Sequence, residues 1–240
     1  MKKAVRFTDG TNIRLGFEVE CYVKSKHAKT FESLVFAEHS GVVFDDDGSI
    51  EPPWDREYEN EDDGGYKTFE LQTPVLPPGS ALRLLDKIFY YLRKYGGTNE
   101  SCGLHVNISS TNKKRMKRFN PLPFIVNPMW EKLLKDFGRE DNDYCLPICR
   151  LEKNKSPMAL VESGFLNGDG DYCGSGFDKD SCINMSHWYG GERLDSRIEI
   201  RGPGGDKYHR RFRVVSHYVK KIIKLFVLCC DKAPLVKFRV

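Results

Sequence analysis

Glu18 and Glu20 sit two residues apart in the run Gly16-Phe17-Glu18-Val19-Glu20. On an extended chain that spacing puts both side chains on one face, about 6.6 Å apart. The arrangement recurs further along. Glu70 and Gln72 alternate with Phe69 and Leu71, and His105, Asn107 and Ser109 alternate with Leu104, Val106 and Ile108. Arg197, Glu199 and Arg201 alternate with Ile198 and Ile200. Carboxylate oxygens are the ligands that Mg²⁺ and Mn²⁺ prefer, and one imidazole is compatible with either. Arginines on the same face would hold phosphate or carboxylate oxygens through paired hydrogen bonds. Divalent ions and arginines around a reacting phosphate are what phosphoryl transfer needs. Each strand alone has a plainer explanation, because half-solvated antiparallel sheets alternate apolar and polar residues anyway and Glu–Arg cross-strand pairs are common.

To act together these residues need one sheet. Alternation predicts strands over 14–23, 42–44, 66–73, 104–109, 183–186 and 197–201. Helices are expected over 30–38 with Thr30 as cap, over 80–95 with Ser80 as cap and Gly96-Gly97 as stop, and from Asn127-Pro128 to Gly138. A long terminal helix should start at Asp206 and turn Phe212, Val215, Val219, Ile222, Ile223 and Phe226 inward. This order lacks the βαβ rhythm of a parallel sheet, so the expected class is α+β. The apolar face of an antiparallel sheet would lie under the two long helices, and its polar face would collect the carboxylates, the histidine and the arginines. Residues 139–181 read as irregular, with a flexible loop at Gly168–Gly176, and the basic run Lys113–Arg118 reads as a solvated connection.

With 240 residues, 40% hydrophobic and 30% charged, and no internal repeat, the chain reads as one ordinary globular domain. A net charge of +4 gives no reason to expect a nucleic-acid or membrane partner. The early lysines lack the apolar run of a secretion signal, and the longest apolar stretch, Ile222–Cys230, is too short to span a membrane, so a cytoplasmic location is expected. In that setting the eight cysteines should be reduced and mostly buried, and Cys145, Cys149, Cys173 and Cys182 lack zinc-knuckle spacing. Cys102 and His105 point to opposite faces of a strand, which leaves no thiol–imidazole pair. Asp45-x-Asp47-Gly48 is not an EF-hand, since Val43 and Trp54 would fill the first and twelfth positions. Asp47 reads as a turn residue rather than a metal ligand.

Taken together, Gly16–Glu20, Asp47-Gly48-Ser49, Phe69-Glu70-Leu71-Gln72-Thr73-Pro74, Ser101-Cys102-Gly103-Leu104-His105-Val106-Asn107 and Arg197–Arg201 resemble, in order, the motifs of the amidoligase family. Its members are relatives of glutamine synthetase and glutamate–cysteine ligase. The resemblance spans residues 13–230, apart from a variable insert at about 111–182 where nothing is recognised. It departs at Asn107, where many relatives carry a second histidine, and in the glycine-rich Arg201–Asp206 segment. It implies a single glutamine-synthetase-like domain over 1–240 that joins a small-molecule or peptide carboxylate to an amine, using ATP and Mg²⁺ or Mn²⁺. The acid would be activated as an acyl phosphate, because a bare carboxylate has no good leaving group. By position, Glu18, Glu20, Glu70, His105 and Glu199 would hold metal, and Arg201, Asn107 and Gln72 would contact the nucleotide. Arg197, Arg201 and His105 would act on the reacting groups. The alternative is a non-catalytic descendant of the same fold that binds nucleic acid or protein through its polar face and the 113–118 run.

Overall fold

The computed structural model describes residues 12–53, 65–142, 145, 181–185, 187–188 and 195–231. The Gly168–Gly176 loop, Ser186, Cys149, Cys173 and residues 54–64 lie outside the described residues. The alternation that begins at Ile13 produces the 12-residue strand β1 (Ile13–Lys24). Leu15, Phe17, Val19, Cys21 and Val23 on one side are each at most 1% exposed. β2 (Val43–Asp46) and β3 (Tyr66–Gln72) follow, then β4 (Gly96–Gly97), β5 (Leu104–Ser110), β6 (Ile183–Asn184) and β7 (Ile198–Ile200). The class is α+β, and the seven strands are antiparallel.

The chain divides into two compact units, Met1–Asn107 with Pro203–Ser216, and Ile108–Gly202 with His217–Val240. In the first unit the strand order is β2-β3-β1-β5, with β4 also pairing with β1. The apolar face is covered by α1 (Ala28–Glu38) and α2 (Pro78–Tyr95). From α1, Phe31 meets Phe44 edge-on at 6.0 Å and Phe69 at 6.3 Å. From α2, Leu85, Ile88 and Leu92 are fully buried. Burying side chains of this size contributes about 1.5–3 kcal/mol each, which makes this layer the main source of stability in the unit.

In the second unit, β6 pairs with β7 in the register Asn184↔Glu199. Its helices are α3 (Lys113–Lys117), α4 (Pro121–Ile125), α5 (Met129–Phe137) and most of α6 (Phe212–Asp231). Phe119 stacks on Phe226 at 5.5 Å, and Phe124 packs against Trp130 at 5.1 Å. Gly138 closes α5 in the left-handed conformation at φ 69°. Among the described residues, no helix is long and apolar enough to cross a membrane. Cys21, Cys102, Cys145, Cys182, Cys229 and Cys230 are all buried.

Three expected caps are displaced. Thr30 lies inside α1, which is entered from a 3₁₀ turn over Ser25–His27. Ser80 lies inside α2, because Pro78 at the first turn starts the helix two residues earlier. Asp206 precedes a 3₁₀ turn over Tyr208–Arg210, and the long helix begins only at Phe212. The basic run is not a bare connection either. It forms α3, with Asn112 accepting from the Arg115 N–H, Met116 buried, and Arg115 holding Asp231 through bonds of 3.0 and 2.6 Å.

α2 stops where Gly96 and Gly97 must pass against β1. A Cβ on Gly96 would lie 2.1 Å from the Tyr22 carbonyl oxygen, far inside contact distance, whereas one on Gly48 would meet nothing within 4 Å. Gly96→Ala should therefore cost about 2 kcal/mol or more in urea unfolding. Gly48→Ala should stay within about 0.5 kcal/mol of the parent.

Candidate functional site

The register of β1 on β3 sets Glu20 opposite Glu70 and Glu18 opposite Gln72, and β2 places Asp45 opposite Glu70 from the other side. The Glu20 N–H donates to the Gly103 carbonyl at 3.1 Å, and the Glu20 carbonyl accepts from the Tyr208 hydroxyl at 2.7 Å. Both backbone groups of Glu20 thus point away from β3. Glu20 and Glu70 form the non-hydrogen-bonded kind of antiparallel pair, with Cα atoms about 4.5 Å apart and side chains close. Asp47 joins them from the turn after β2. One carboxylate oxygen from each of Glu20, Asp47 and Glu70 lies within 4.8 Å of the others. Asp47 also has the expected turn role, since its Oδ1 accepts from the Ser49 N–H at 2.9 Å and the Ser49 hydroxyl at 2.6 Å.

β5 brings His105 and Asn107 against β1. His105 Nδ1 is 2.9 Å from Glu18 Oε2, and its Nε2 is 3.3 Å from Glu20 Oε1. Asn107 donates its amide N–H to Glu18 Oε1 at 2.9 Å. A neutral imidazole has a single N–H, so in that form it donates to only one of the two carboxylates. The Gly103 N–H donates to the Glu20 carboxylate. A Cβ at position 103 would lie 2.9 Å from His105 Nε2 and 3.1 Å from Glu20 Oε2. Glycine is required there because the backbone itself approaches the carboxylate. Cys102 is fully buried, its thiol donating to Asn99 Oδ1 at 3.4 Å, while the nitrogens of His105 face the two glutamates.

Burial pushes the Glu70 carboxyl above the usual carboxylate range, and the charges of Glu18 and Glu20 add to that push. A hydrogen bond from Gln72 and the proximity of His105 oppose it. Gln72 is fixed between two acids, donating to Glu70 Oε1 at 3.0 Å and to Asp45 Oδ2 at 3.2 Å.

The second unit carries its own polar cluster. Glu199 is 5% exposed, accepting from Arg201 at 2.7 Å and from the Asn184 amide at 2.9 Å. The Arg201 Nε is buried with no hydrogen-bond partner among the described residues. Arg139, also buried, and Arg201 both act on the Cys145 thiol, opposing the upward push of burial. Arg197 is half-buried just before β7.

No family model matches the chain, and no curated protein is found similar to it.

Of the residues singled out in the sequence, Glu18, Glu20, Glu70, Gln72, His105 and Asn107 thus come together in the first unit, and Glu199 and Arg201 do so in the second. Asp47 is an addition to the carboxylate group. Its Asp-Gly-Ser context signals a turn equally well, and only the pairing of β2, β3 and β1 reveals its neighbours. Asn184 and Arg139 carry no local signal at all.

The sign of the Glu70 effect on stability follows from its direction. A carboxyl raised in the folded state binds its proton more tightly there than in the unfolded chain. Its contribution is complete below the ordinary glutamate range and is lost as pH rises through the raised value. In the presence of a chelator, Glu70→Gln should melt higher than the parent at pH 7. The gap should close as pH falls toward 4, as followed by thermal melts across that range.

Proposed function

We propose that the chain is an ATP-dependent carboxylate–amine ligase of the amidoligase kind, working with Mg²⁺ or Mn²⁺ on a glutamine-synthetase-like sheet. The observation that carries this reading is the set of oxygen donors Glu20, Asp47 and Glu70, within 4.8 Å of one another, in segments whose motifs run in the order of that family. Three carboxylates make a hard, all-oxygen set that suits either cation. Burial, with the charges of Glu18 and Glu20 added, raises the Glu70 carboxyl, and a divalent charge beside it would favour the ionised form. When bound, such an ion neutralises and orients phosphate oxygens.

Glu20, Asp47 and Glu70 hold the cation on this reading, and Glu18 with Asn107 keeps the His105 ring turned toward Glu20. The amide N–H groups of Asn107 and Gln72 are engaged with carboxylates, so their contact with a nucleotide rests on the resemblance alone. Arg201 keeps the phosphoryl-steadying role the resemblance gives it, a role its buried Nε, with no hydrogen-bond partner among the described residues, would suit. Arg197 and Glu199 keep the roles the resemblance gives them. The acid substrate becomes an acyl phosphate, and the amine displaces phosphate from it. Orientation of the two substrates supplies much of the rate.

A second reading, a non-catalytic module that binds nucleic acid or protein, is favoured by the exposed Lys113, Lys114, Lys117 and Arg118 on and beside α3. Hydroxylamine separates the two readings without knowledge of the natural amine. Protein incubated with ATP, Mg²⁺, a panel of amino acids and short peptides, and hydroxylamine should give a hydroxamate and ADP in equal amounts. Arg201→Ala should lower both together by roughly a hundredfold, the usual cost of about 3 kcal/mol for one oriented transition-state contact. Mg²⁺ or Mn²⁺ should raise the melting temperature of the parent but not of Glu20→Gln. Folded, metal-loaded protein that turns over no ATP with any acid would favour the binding module.

A further inference from the structure

β1 has a break in its ladder on the β5 side, and the break falls at Glu20. Tyr22 and Val23 pair with β4, whereas β5 begins only at Leu104. Residues 98–103 connect those two strands. At the break, the Glu20 N–H is taken by the Gly103 carbonyl and the Glu20 carbonyl by the Tyr208 hydroxyl at 2.7 Å. A side chain from a distant loop thus supplies the donor that a strand would have given.

That loop is strongly constrained. The Leu104 N–H donates to the Pro203 carbonyl at 3.0 Å, the Gly205 N–H to the Cys102 carbonyl at 2.8 Å, and the Lys207 N–H to the Thr98 carbonyl at 3.0 Å. Gly204, Gly205 and Lys207 all have positive φ, of 145°, 82° and 52°. Lys207 is the one non-glycine among the described residues in that region, and it turns the chain so that Tyr208 follows inward. Tyr208 is fully buried, its ring 5.6 Å from that of Phe89. The ring is fixed by packing, so the hydroxyl has one place to point. The glycine-rich run that departs from the family pattern therefore has a definite use.

We infer that Tyr208 is a positioning residue for Glu20. It anchors the Glu20 backbone at the ladder break, so that the Glu20 carboxylate meets the Gly103 N–H on one side and the cation-holding group with Asp47 and Glu70 on the other. The consequence for metal rests on the ligase reading, but the anchoring itself does not. Partners that orient a ligand are worth roughly 10- to 100-fold in metal affinity.

The test uses the full chain and Tyr208→Phe, which keeps the ring and removes only the donor. Without metal, the Gly103 amide proton should move upfield and exchange about tenfold faster, because its bond to the Glu20 carboxylate is no longer held. Free Mn²⁺ measured by electron paramagnetic resonance should show Mn²⁺ binding weakened at least tenfold. Thr98→Val is the control, since it loosens the same segment by removing the hydroxyl that contacts His209 Nδ1 and the Gly205 carbonyl, without touching Glu20. It should lower the melting temperature and leave the Gly103 signal in place. If Tyr208→Phe does not fold, Phe89→Leu loosens the ring's seat instead and should speed Gly103 exchange. An unmoved Gly103 amide in the folded variant, or equal movement in Thr98→Val, overturns the inference. Parent protein that binds no Mn²⁺ overturns the metal reading alone, and the Gly103 signal still decides the role of Tyr208.

Discussion

The sheet of the first unit depends on β1 being unable to slip. A shift of one residue would exchange its two faces, bringing Leu15, Phe17, Val19, Cys21 and Val23 into the acidic cluster and Glu18 and Glu20 under the helices. The apolar side chains are at most 1% exposed, so losing their burial would cost several kcal/mol before the penalty of two buried carboxylates is counted. The register Glu18↔Gln72 and Glu20↔Glu70 is therefore dictated from the apolar face, although its chemical consequence appears on the polar one. Phe31, Leu85 and Ile88 position the acids without approaching them.

Crowding acids on one face carries a penalty, and the structure offsets it locally. Each carboxylate near His105 has a specific donor. Glu18 receives the Asn107 amide, Glu20 receives the Gly103 N–H, and Glu70 receives Gln72. His105 stands between Glu18 and Glu20. Backbone and amide donors are neutral, so they orient the carboxylates without cancelling their charge. Burial raises the Glu70 carboxyl, and that uncancelled repulsion adds to the push. An ion pair in its place would have removed the repulsion together with the attraction for a cation.

Period-two alternation made the strand faces legible, because it tracks burial in β1 and β3, whereas in β5 only the residue types alternate and His105 and Asn107 are buried as well. Helix starts were less legible. Thr30, Ser80 and Asp206 are all good caps chemically, but competing local geometry sets the boundaries: a 3₁₀ entry, the fixed φ of Pro78, and the left-handed Lys207 before a second 3₁₀ turn. α3 carries too little for a periodic signal, since only Met116 of its five residues is buried. Asp47 and Tyr208 were hidden for a different reason. Their partners lie on strands far away in sequence, and neither residue type announces such a contact.

Asn107 shows how a departure from a resemblance can be read physically. A histidine at that position would offer a lone pair to a cation, whereas an asparagine can present either its oxygen or its NH₂. Beside a carboxylate the choice is forced, since only the NH₂ can donate, and it faces Glu18 Oε1 at 2.9 Å. With Asn107 and His105 both on Glu18, that acid is constrained from two directions. Glu20, Asp47 and Glu70 are left as the close group of oxygens in the first unit. On the ligase reading, the exchange of histidine for asparagine moves position 107 from ligand to support. The cation is then held by oxygen alone at that group, and a borderline metal that favours nitrogen loses its advantage over Mg²⁺ or Mn²⁺.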